Sequence, residues 1–488
     1  MEHSAIFSGC CLAAALLVLV VALAAPHRLG AAAAAAAPGD GSETNWHVVS
    51  VNSLLPNTVC TSTKGPAAAP SSLTVVHRHG PCSPLRSRGS GAPSHTEILR
   101  RDQDRVDAIR RKVTASSNKP KGGVSLLANW GKSLSTTNYV ASLRLGTPAT
   151  ELVVELDTGS DQSWVQCKPC ADCYEQRDPV FDPTASSTYS AVPCGARECQ
   201  ELASSSSSRN CSSDNNKNCP YEVSYDDDSH TVGDLARDTL TLSPSPSPSP
   251  ADTVPGFVFG CGHSNAGTFG EVDGLLGLGL GKASLPSQVA ARYGAAFSYC
   301  LPSSPSAAGY LSFGGAAARA NAQFTEMVTG QDPTSYYLNL TGIVVAGRAI
   351  KVPASAFATA AGTIIDSGTA FSRLPPSAYA ALRSSFRSAM GRYRYKRAPS
   401  SPIFDTCYDF TGHETVRIPA VELVFADGAT VHLHPSGVLY TWNDVAQTCL
   451  AFVPNHDLGI LGNTQQRTLA VIYDVGSQRI GFGRKGCA

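Results

Sequence analysis

The residues best suited to catalysis lie in a short sequence motif that occurs twice in the chain. Residues 156–160 read Leu-Asp-Thr-Gly-Ser, and residues 365–369 read Ile-Asp-Ser-Gly-Thr. Each copy follows an apolar stretch typical of a strand, and each is echoed downstream by two apolar residues and a glycine, at 275–277 and 460–462. One such triplet would be weak evidence. Two copies with the same surroundings predict a duplicated body that contributes one aspartate from each half.

Two aspartates, Asp157 and Asp366, can hydrolyse a peptide bond without a metal ion or covalent intermediate if they hold one water molecule and share one proton. Two unit charges about 3 Å apart repel by roughly 5 kcal/mol at an effective dielectric constant of 20. This repulsion is on the order of 4 pKa units, so the two groups should not ionise together. The neutral carboxyl group donates a hydrogen bond while the charged one takes the proton of the water. The sequence therefore predicts Asp157 and Asp366 as the catalytic pair, with no metal ion and no cofactor.

The residues that follow each aspartate fit this chemistry. Gly159 and Gly368 let the backbone turn tightly, and the hydroxyl groups of Ser160 and Thr369 are expected to hydrogen-bond the outer carboxylate oxygens. The sequence contains neither Gly-x-Ser-x-Gly nor His-Glu-x-x-His, the signatures of serine hydrolases and zinc peptidases. The glycine-rich stretch 274–282 matches no phosphate-binding pattern and is interpreted as ordinary backbone.

The elements that must position these residues are mainly strands. With 42% hydrophobic and 16% charged residues, the chain is not a disordered charged polymer. Its 43 glycines and 32 prolines favour turns and short strands. Alternating apolar residues start at 139–145 and 152–156, whereas the low-complexity inserts 204–208 and 243–250 read as loops. The predicted class is all-β, mainly strands with a few short helices.

A net charge of zero conceals an asymmetry between two parts of the chain. Residues 26–136 contain 14 Lys and Arg against 6 Asp and Glu, whereas residues 137–488 contain 24 against 31. A basic N-terminal segment before an acidic body suggests that the segment packs over the body and covers part of its surface. Nucleic-acid-binding proteins more usually have a basic main domain, so binding of nucleic acid by the acidic body is not expected.

Within the basic piece, residues 98–113 predict an amphipathic helix. Leu99, Val106, Ile109 and Val113 recur at helical spacing, while six arginines and lysines occupy the remaining faces. Three interpretations are open: a solvated helix on a propeptide, a helix that docks on an acidic cleft, or a contact with nucleic acid or membrane.

The N-terminus predicts secretion. Residues 11–25 are fifteen apolar or small residues ending in Ala-Leu-Ala, which is typical of a signal peptide over residues 1–25, although no Lys or Arg precedes them. An organelle transit peptide is the alternative. No other stretch reaches the length of a transmembrane helix, and no hydrophobic anchor signal ends the chain. We expect an extracellular protein of the apoplast, with the vacuole or chloroplast as alternatives.

Cysteine usage agrees with this compartment. Twelve of the sixteen cysteines lie in the acidic body, and an even dozen in a secreted body predicts disulfides. The 167–173 run, Cys-x-x-Cys-x-x-Cys, also has metal-ligand spacing, but an oxidising compartment consumes thiolates. Asn210 and Asn339 begin acceptor sequons for glycans. The predicted disulfide cysteines are Cys167, Cys170, Cys173, Cys194, Cys199, Cys211, Cys219, Cys261, Cys300, Cys407, Cys449 and Cys487.

From residue 139 to residue 487 the sequence resembles the pepsin-like aspartic peptidases, and among them the plant nepenthesin-type group. The phrase His-Arg-His-Gly-Pro-Cys at 77–82 resembles the subgroup that includes a chloroplast nucleoid DNA-binding protease. Besides the two aspartate loops, the motifs that carry the resemblance lie at 163–167, 181–189, 231–240, 462–466 and 473–482.

This resemblance implies a bilobal fold with the cleft between two pseudo-symmetric β-lobes, at 137–345 and 346–488, preceded by a basic propeptide at 26–136. It implies a monomeric, secreted endopeptidase made as a zymogen, whose partners are its own propeptide and protein or peptide substrates. Cleavage is expected beside bulky apolar residues. We also expect the precursor to cut itself between about residues 124 and 137 near pH 4.

The resemblance further implies a flap, a β-hairpin over the cleft whose tyrosine hydrogen-bonds a tryptophan. Tyr225 stands at the tyrosine's place and Trp164 at its partner's. The family usually has Tyr-Gly-Asp-Gly-Ser here, whereas this chain has three aspartates at 226–228. These carboxylates are expected either to raise the pKa values of the catalytic pair and favour Lys or Arg in the substrate, or to form an exposed tip that salt screens.

Two rival functions follow from the same resemblance. Some plant relatives inhibit cell-wall glycosidases, so a retired peptidase that acts as a binding protein is one rival, although an aspartate in both halves argues against it. DNA binding through residues 100–112 of the propeptide is the other, and it should weaken steeply with salt.

Overall fold

The computed structural model describes residues 45–55, 57–61, 71–85, 94–117, 130–131, 138–205, 211, 217–225, 229–242, 252–267, 269–314, 322–359, 362–442 and 444–487. The predicted signal peptide, the Asn210 sequon, the aspartates at 226–228 and the Ser-Pro insert at 243–250 lie outside these residues. So does the expected processing region 124–137, except for the backbone of residues 130–131.

Strands dominate both halves of the body. In the first half they are Tyr139–Leu145, Thr150–Asp157, Trp164–Gln166, Asp172–Cys173, Ser190–Ala191, Pro220–Tyr225, His230–Thr241, Thr253–Ala266, Gly274–Gly277, Ala296–Cys300 and Ala308–Phe313. In the second half, which we count from residue 323 because Tyr336–Leu338 pairs with the strand before Asp366, they are Gln323–Val328, Tyr336–Leu338, Leu340–Val345, Arg348–Ala349, Thr363–Ile365, Ser372–Leu374, Lys396–Ala398, Cys407–Asp409, Thr415–Pro419, Val421–Phe425, Thr430–His432, Leu439–Thr441, Thr448–Leu450, Phe452–Pro454, Gly459–Leu461, Ala470–Asp474 and Arg479–Gly483.

Helices are few and mostly short, which confirms the predicted mainly-β class. The α-helices are His95–Ser117, Arg197–Ser205, Leu285–Tyr293, Pro376–Met390, Pro435–Val438 and Asn463–Gln466. Single 3-10 turns occur at Val51–Leu54, Pro183–Ala185, Ala354–Phe357, Gly391–Tyr393 and Val475–Ser477. We refer to His95–Ser117 as the N-terminal helix; it contains the whole of the predicted helical stretch 98–113.

The two aspartate loops have the same backbone surroundings. The strand that ends at Asp157 pairs in parallel with Gly274–Gly277, so that Asp157 faces Gly277. In the second half Thr363–Ile365 pairs in parallel with Gly459–Leu461. Glycine is needed in both echoes, because a Cβ atom at Gly277 would lie 2.3 Å from a backbone oxygen and one at Gly462 would lie 2.7 Å from a backbone carbon. The repeated echo in the sequence is therefore the strand that supports each loop.

The N-terminal segment adds strands to the body instead of lying loosely upon it. Ser72–His77 lies between Tyr139–Leu145 and Ala308–Phe313, antiparallel to both. Trp46–Ser50 pairs with Thr415–Pro419 in the second half. The sequence did not predict these strands. The basic segment is thus attached to each half of the duplicated body.

The halves meet across a sheet and an aromatic core. Ala296–Cys300 pairs with Ala470–Asp474, and the rings of Phe297 and Tyr473 stack with centroids 4.5 Å apart. A disulfide between Cys300, the last residue of the first of these strands, and Cys487 adds a covalent link between the halves. This packing fixes the position of one aspartate loop relative to the other.

All twelve body cysteines are paired in the structure, and so are two in the N-terminal segment. The sulfur atoms of Cys194, Cys199 and Cys211 cluster within 4.8 Å of one another, but each belongs to a disulfide. The pairs are Cys60–Cys82, Cys167–Cys261, Cys170–Cys173, Cys194–Cys211, Cys199–Cys219, Cys300–Cys487 and Cys407–Cys449. Asn339, the other predicted glycan acceptor, is exposed. No helix in the described part of the chain is both long and apolar enough to cross a bilayer.

Candidate active site

The two predicted catalytic aspartates lie together at the junction of the halves. Asp157 is the last residue of its strand, and its carbonyl accepts a hydrogen bond from Leu278. Asp366 follows its strand directly and donates its backbone N–H to the carbonyl of Leu461. Both carboxylates are fully buried. Each aspartate is thus fixed by its own half and by the strand that supports its loop.

A reciprocal pair of hydrogen bonds locks the two loops to each other. The N–H of Thr158 donates to Oγ of Ser367 at 3.1 Å, and the N–H of Ser367 donates to Oγ1 of Thr158 at 2.8 Å. Because each hydroxyl group serves the backbone of the opposite loop, the arrangement has approximate two-fold symmetry. It holds the loops in register without using either catalytic carboxylate.

The inner carboxylate oxygens are held alike, but the outer ones are not. The N–H groups of Gly159 and Gly368 donate to Oδ1 of Asp157 at 2.9 Å and to Oδ1 of Asp366 at 3.2 Å. Thr369 donates its hydroxyl to Oδ2 of Asp366 at 2.6 Å, as expected.

The corresponding bond in the first half is not formed. Oγ of Ser160 and Oδ2 of Asp157 are both buried without a hydrogen-bond partner among the described residues. The expectation for Ser160 is therefore not met in this conformation.

A guanidinium group from the N-terminal helix lies between the two carboxylates. Nη2 of Arg105 is 2.5 Å from Oδ1 of Asp157 and 2.8 Å from Oδ1 of Asp366, and its Nε donates to Oδ2 of Asp366 at 2.9 Å. Burial by itself would lower the pKa of Arg105, but the two carboxylates raise it above its ordinary value, so the group stays charged. One nitrogen in contact with both acids also shows that the acids are close enough to act on one small group.

Gly368 is the residue that allows this approach. A Cβ atom at this position would lie 2.0 Å from the guanidinium of Arg105. The glycine thus serves the tight turn predicted from the sequence and also leaves space for a group above the carboxylates.

The rest of the N-terminal helix lies along the same surface. Its Leu99 packs with Phe371 and Phe404. On the other side of Arg105, a second set of apolar contacts joins Val106, Ile109, Val113, Tyr337, Ile364, Leu458 and Ile460. The helix therefore covers the aspartate pair and apolar surface on both sides of it.

A second buried ion pair lies one helical turn from Arg105. Asp102 accepts from Nη2 of Arg373 at 2.5 Å and from the N–H of Ala370 at 2.6 Å. Gln103 accepts from the other terminal nitrogen of Arg373 at 3.1 Å. Burial raises the pKa of Asp102, and the charge of Arg373 opposes that rise.

The predicted flap residues are in contact. Nε1 of Trp164 donates to the hydroxyl oxygen of Tyr225 at 2.9 Å, and both side chains are buried. Phe269 packs edge-on against both rings, with centroids 5.0 and 5.7 Å away. Tyr225 closes the hairpin formed by Pro220–Tyr225 and His230–Thr241. The sequence motif therefore brings together two side chains that lie 61 positions apart.

Sequence analysis missed three residues of this site: Arg105, Asp102 and Arg373. A signal for two of them existed, because Asp102 falls within the apolar stripe of the N-terminal helix and Arg105 lies at its edge. A charged residue on the buried face of an amphipathic helix needs a partner of opposite charge. The identity of that partner could not be found without knowing where the helix docks.

A β-rich body whose halves each supply one aspartate to a shared, buried pair defines the class of aspartic proteases. Family models described as the N-terminal and C-terminal parts of xylanase inhibitors match residues 139–315 and 335–484. An Arabidopsis thaliana protein named aspartyl protease family protein At5g10770 is 43% identical over 91% of this chain and 94% of its own length. The aspartic proteinase nepenthesin-2 of Nepenthes gracilis is 34% identical over 72% of this chain and 78% of its own length.

A solved structure titled edgp superimposes with a TM-score of 0.59 at 22% identity, over 72% of this chain and 92% of that one, which shows the shared fold. The chain thus belongs to the plant pepsin-like aspartic proteases.

Proposed function

We propose that this protein is a secreted aspartic endopeptidase, made as an inactive precursor, that hydrolyses protein substrates at acid pH. The observation that carries the proposal is the contact of one nitrogen atom with both Asp157 and Asp366. Two carboxylates held this close together by loops related by approximate two-fold symmetry can share one proton over one water molecule.

In the proposed reaction the ionised carboxylate removes a proton from the water while the neutral one donates its proton to the peptide carbonyl oxygen. A C–O bond forms, giving a tetrahedral intermediate. Proton transfer to the amide nitrogen then lets the C–N bond break, and the carboxyl and amine products leave. The glycine N–H groups on the inner oxygens and the locked loops keep both acids oriented throughout.

The precursor state is supported by the N-terminal helix. Arg105 occupies the space between the acids that the water and carbonyl would need, and Leu99 and Val106 cover surface on either side. We propose that acid releases this helix and that cleavage between about residues 124 and 137 makes the release permanent. Protonation of either aspartate removes a charge opposite Arg105, which weakens the docked state.

Secretion is proposed from the apolar segment at 11–25 and is supported by seven disulfides, since such bonds persist in oxidising compartments. The apoplast is the proposed location. DNA binding by the helix finds less support, because Arg100, Arg101, Arg110 and Lys112 all form ion pairs with carboxylates of this chain. Those partners would have to be replaced by phosphates.

The decisive experiment incubates the purified precursor at pH 3 to 5 with denatured haemoglobin, with and without pepstatin. We expect self-processing followed by pepstatin-sensitive hydrolysis, and no hydrolysis by Asp157→Asn. A folded, processed protein that cleaves nothing would instead favour a binding protein, the function that the names of the matching family models suggest. A precursor matured only by an added protease would remove self-processing from the proposal and leave hydrolysis intact.

A further inference from the structure

Arg373 is a buried cation whose hydrogen bonds go to the N-terminal helix. It lies on Ser372–Leu374, seven positions after Asp366, and is 1% exposed. Its terminal nitrogens donate to Asp102 and Gln103, and its Nε has no partner. Among the described residues, Asp102 supplies the one carboxylate in an ion pair with Arg373.

The backbone completes a carboxylate-binding arrangement at this point. The N–H of Ala370 donates to Oδ1 of Asp102 while Arg373 donates to Oδ2. Each oxygen of one carboxylate thus has its own donor, and one of the donors is charged, which is the stronger kind of hydrogen bond. Both donors belong to the body, whereas the carboxylate belongs to the segment that covers it.

Removal of the helix leaves these donors in place without an acceptor from the chain. A guanidinium and an N–H group that lose their shared carboxylate partner favour an anion that can replace Asp102. A substrate in the cleft lies where the N-terminal helix lay. A side-chain carboxylate of a bound peptide has the chemistry needed to replace Asp102 there.

We propose that Arg373 and the N–H of Ala370 form a subsite of the processed enzyme that binds the side-chain carboxylate of an aspartate or glutamate in the substrate. This proposal rests on the proposed function and adds a substrate class to it. In the precursor, Asp102 occupies the subsite as a substrate side chain would.

The distance from the catalytic pair follows from the helix. Asp102 and Arg105 are three positions apart, so their Cβ atoms are about 5 to 6 Å apart on one face. An extended substrate advances about 3.3 Å per residue. The acidic side chain therefore belongs within about two residues of the scissile bond.

The internal symmetry of the body makes the position of Arg373 distinctive. Trp164 also lies seven positions after its aspartate, and it pairs with Leu275 as Arg373 pairs with Ile460. In the first half the side chain at this position, Trp164, donates a hydrogen bond to the flap tyrosine, Tyr225. In the second half the matching residue is the charged Arg373, which contacts the segment that covers the aspartate pair. We therefore place Arg373 among the residues that select the substrate.

The neighbouring surface defines the rest of the preference. Leu99, one turn before Asp102, packs with Phe371 and Phe404, and His95 packs against Trp442 with ring centroids 5.2 Å apart. These aromatic side chains favour an apolar residue next to the acidic one. The preferred substrate thus combines an acidic and a bulky apolar residue on the side of the cleft formed by the second half.

The test uses full-length protein processed by its own or an added protease, with peptides that are acetylated and amidated so that side chains carry the only carboxylates. One reference peptide has an apolar scissile pair and no acidic residue. The others carry Glu, and in matched partners Gln, at each of the three positions on either side of the bond. Measurements are made at pH 5, where most of the Glu is ionised.

We expect kcat/KM to be about 10-fold to 100-fold higher for Glu than for Gln at one of these positions. In Arg373→Met this ratio should fall to near 1, and in Arg373→Glu a Lys peptide should become the better substrate. Arg392→Met, which removes an arginine that lies over the ring of Trp46 in the 3-10 turn Gly391–Tyr393, is the matched control and should keep the ratio.

Three results separate the outcomes. Hydrolysis of the reference peptide with equal rates for Glu and Gln at every position overturns the subsite and leaves the proposed function standing. No hydrolysis of any peptide overturns the proposed function itself. If Arg373→Met does not fold, the Glu to Gln ratio of the wild-type enzyme still decides the proposal.

Discussion

The two aspartate loops share a backbone plan and differ in the side chains that surround it. Both are supported by a parallel strand with a glycine at or directly after its end, and both lock the other through a hydroxyl group. Seven positions later, however, Trp164 holds a flap tyrosine and Arg373 meets a carboxylate. Duplication therefore makes the two aspartates equivalent in position, whereas different side chains seven positions later give the two halves different functions. Each prediction below tests which features are shared and which are not.

The largest effect should come from the shared feature. Asp157→Asn and Asp366→Asn should each lower kcat on the order of 1,000-fold or more, because neither acid can complete the proton transfers alone. Initial rates on the reference peptide after processing by an added protease measure the loss. Asp182→Asn, at a partly exposed position outside the cleft, is the control. A loss confined to one of the two variants would break the symmetry on which the mechanism depends.

Removal of the group that joins the two loops should have the next largest effect. Arg105→Met leaves two buried carboxylates without a cation, and breaking a buried ion pair in this way typically costs about 3 to 5 kcal/mol. We expect the precursor to process itself on the order of 100-fold faster at pH 5 than the wild-type precursor. The appearance of the mature chain on gels gives the rate.

Arg100→Gln is the matched control for this prediction, since the two ion pairs of Arg100 lie within the helix and reach neither half of the body. It should process at nearly the wild-type rate. Equal acceleration by both variants would mean that the helix is held by its general charge and not by the contact of Arg105 with the acids.

The docking of the N-terminal segment should depend on pH in one way where it contacts the first half and in another where it contacts the second half. His77 ends the strand that pairs with the first half, and His79 lies two residues beyond it. Burial is the main cause of their lowered pKa values, well below 6.5 for His77 and about 3 for His79. Tyr139, Arg467, Arg78 and Arg101 are the groups near them, and the arginines lower the pKa values further.

The direction of the pH effect on docking depends on whether the free or the docked segment binds the proton. The free segment takes up protons near pH 6.5 and the docked one does not, so these histidines do not affect docking above that pH and oppose it increasingly as the pH falls towards 3. For His79 the loss is about 1.4 kcal/mol per pH unit. Asp102, on the N-terminal helix where it docks on the second half, acts in the opposite direction because its pKa is raised in the docked state.

Hydrogen exchange of residues 71–85, measured from pH 7 to pH 3, tests this difference. His79→Gln should make the pH dependence of protection shallower, with release beginning at a lower pH. His413→Gln, at an exposed position, should leave the curve unchanged. An identical curve for His79→Gln would assign acid release to the aspartates alone.

The two aspartate loops, which are a repeated sequence motif, are the part of the site that could be predicted from the sequence. The strand, Asp, hydroxyl and glycine of each loop are local features. The structure shows that the echoes ending at 277 and 462 mark the supporting strands, where glycine is required by close backbone contact. Trp164 and Tyr225 were predicted through the resemblance alone. Their hydrogen bond joins distant strands, and no local pattern specifies it.

What could not be predicted depends on docking between distant segments. The helix at 98–113 was expected, but six basic residues were candidates for an acidic partner and only the docked geometry selects Arg105. The strand Ser72–His77 was missed because its apolar run is short and its partners lie in two other parts of the chain. Disulfide pairing was open for the same reason, since spacing does not fix which cysteines meet.

The smallest predicted effect concerns the hydroxyl groups beside the two acids. Thr369 donates to Asp366, whereas the hydroxyl group of Ser160 has no hydrogen-bond partner among the described residues, so the loops differ at otherwise matching positions. Thr369→Val should lower kcat about 10-fold, because a hydrogen bond to a charged group contributes about 1.5 to 3 kcal/mol and part of that can be recovered by solvent. Ser160→Ala should change kcat less than about twofold, since no bond is lost.

The pair of variants also reports whether the asymmetry persists in the processed enzyme. If Ser160→Ala lowers kcat as much as Thr369→Val, then Ser160 turns towards Asp157 once Arg105 has left, and the two loops become equivalent on activation. If only Thr369→Val is impaired, the acids remain unequal, and Asp366, whose ionised form receives the extra hydrogen bond, is the one that takes the proton of the water. Rates for both variants across pH 3 to 6 distinguish the two cases, because loss of the bond to Asp366 should move the acidic limb of the profile to higher pH.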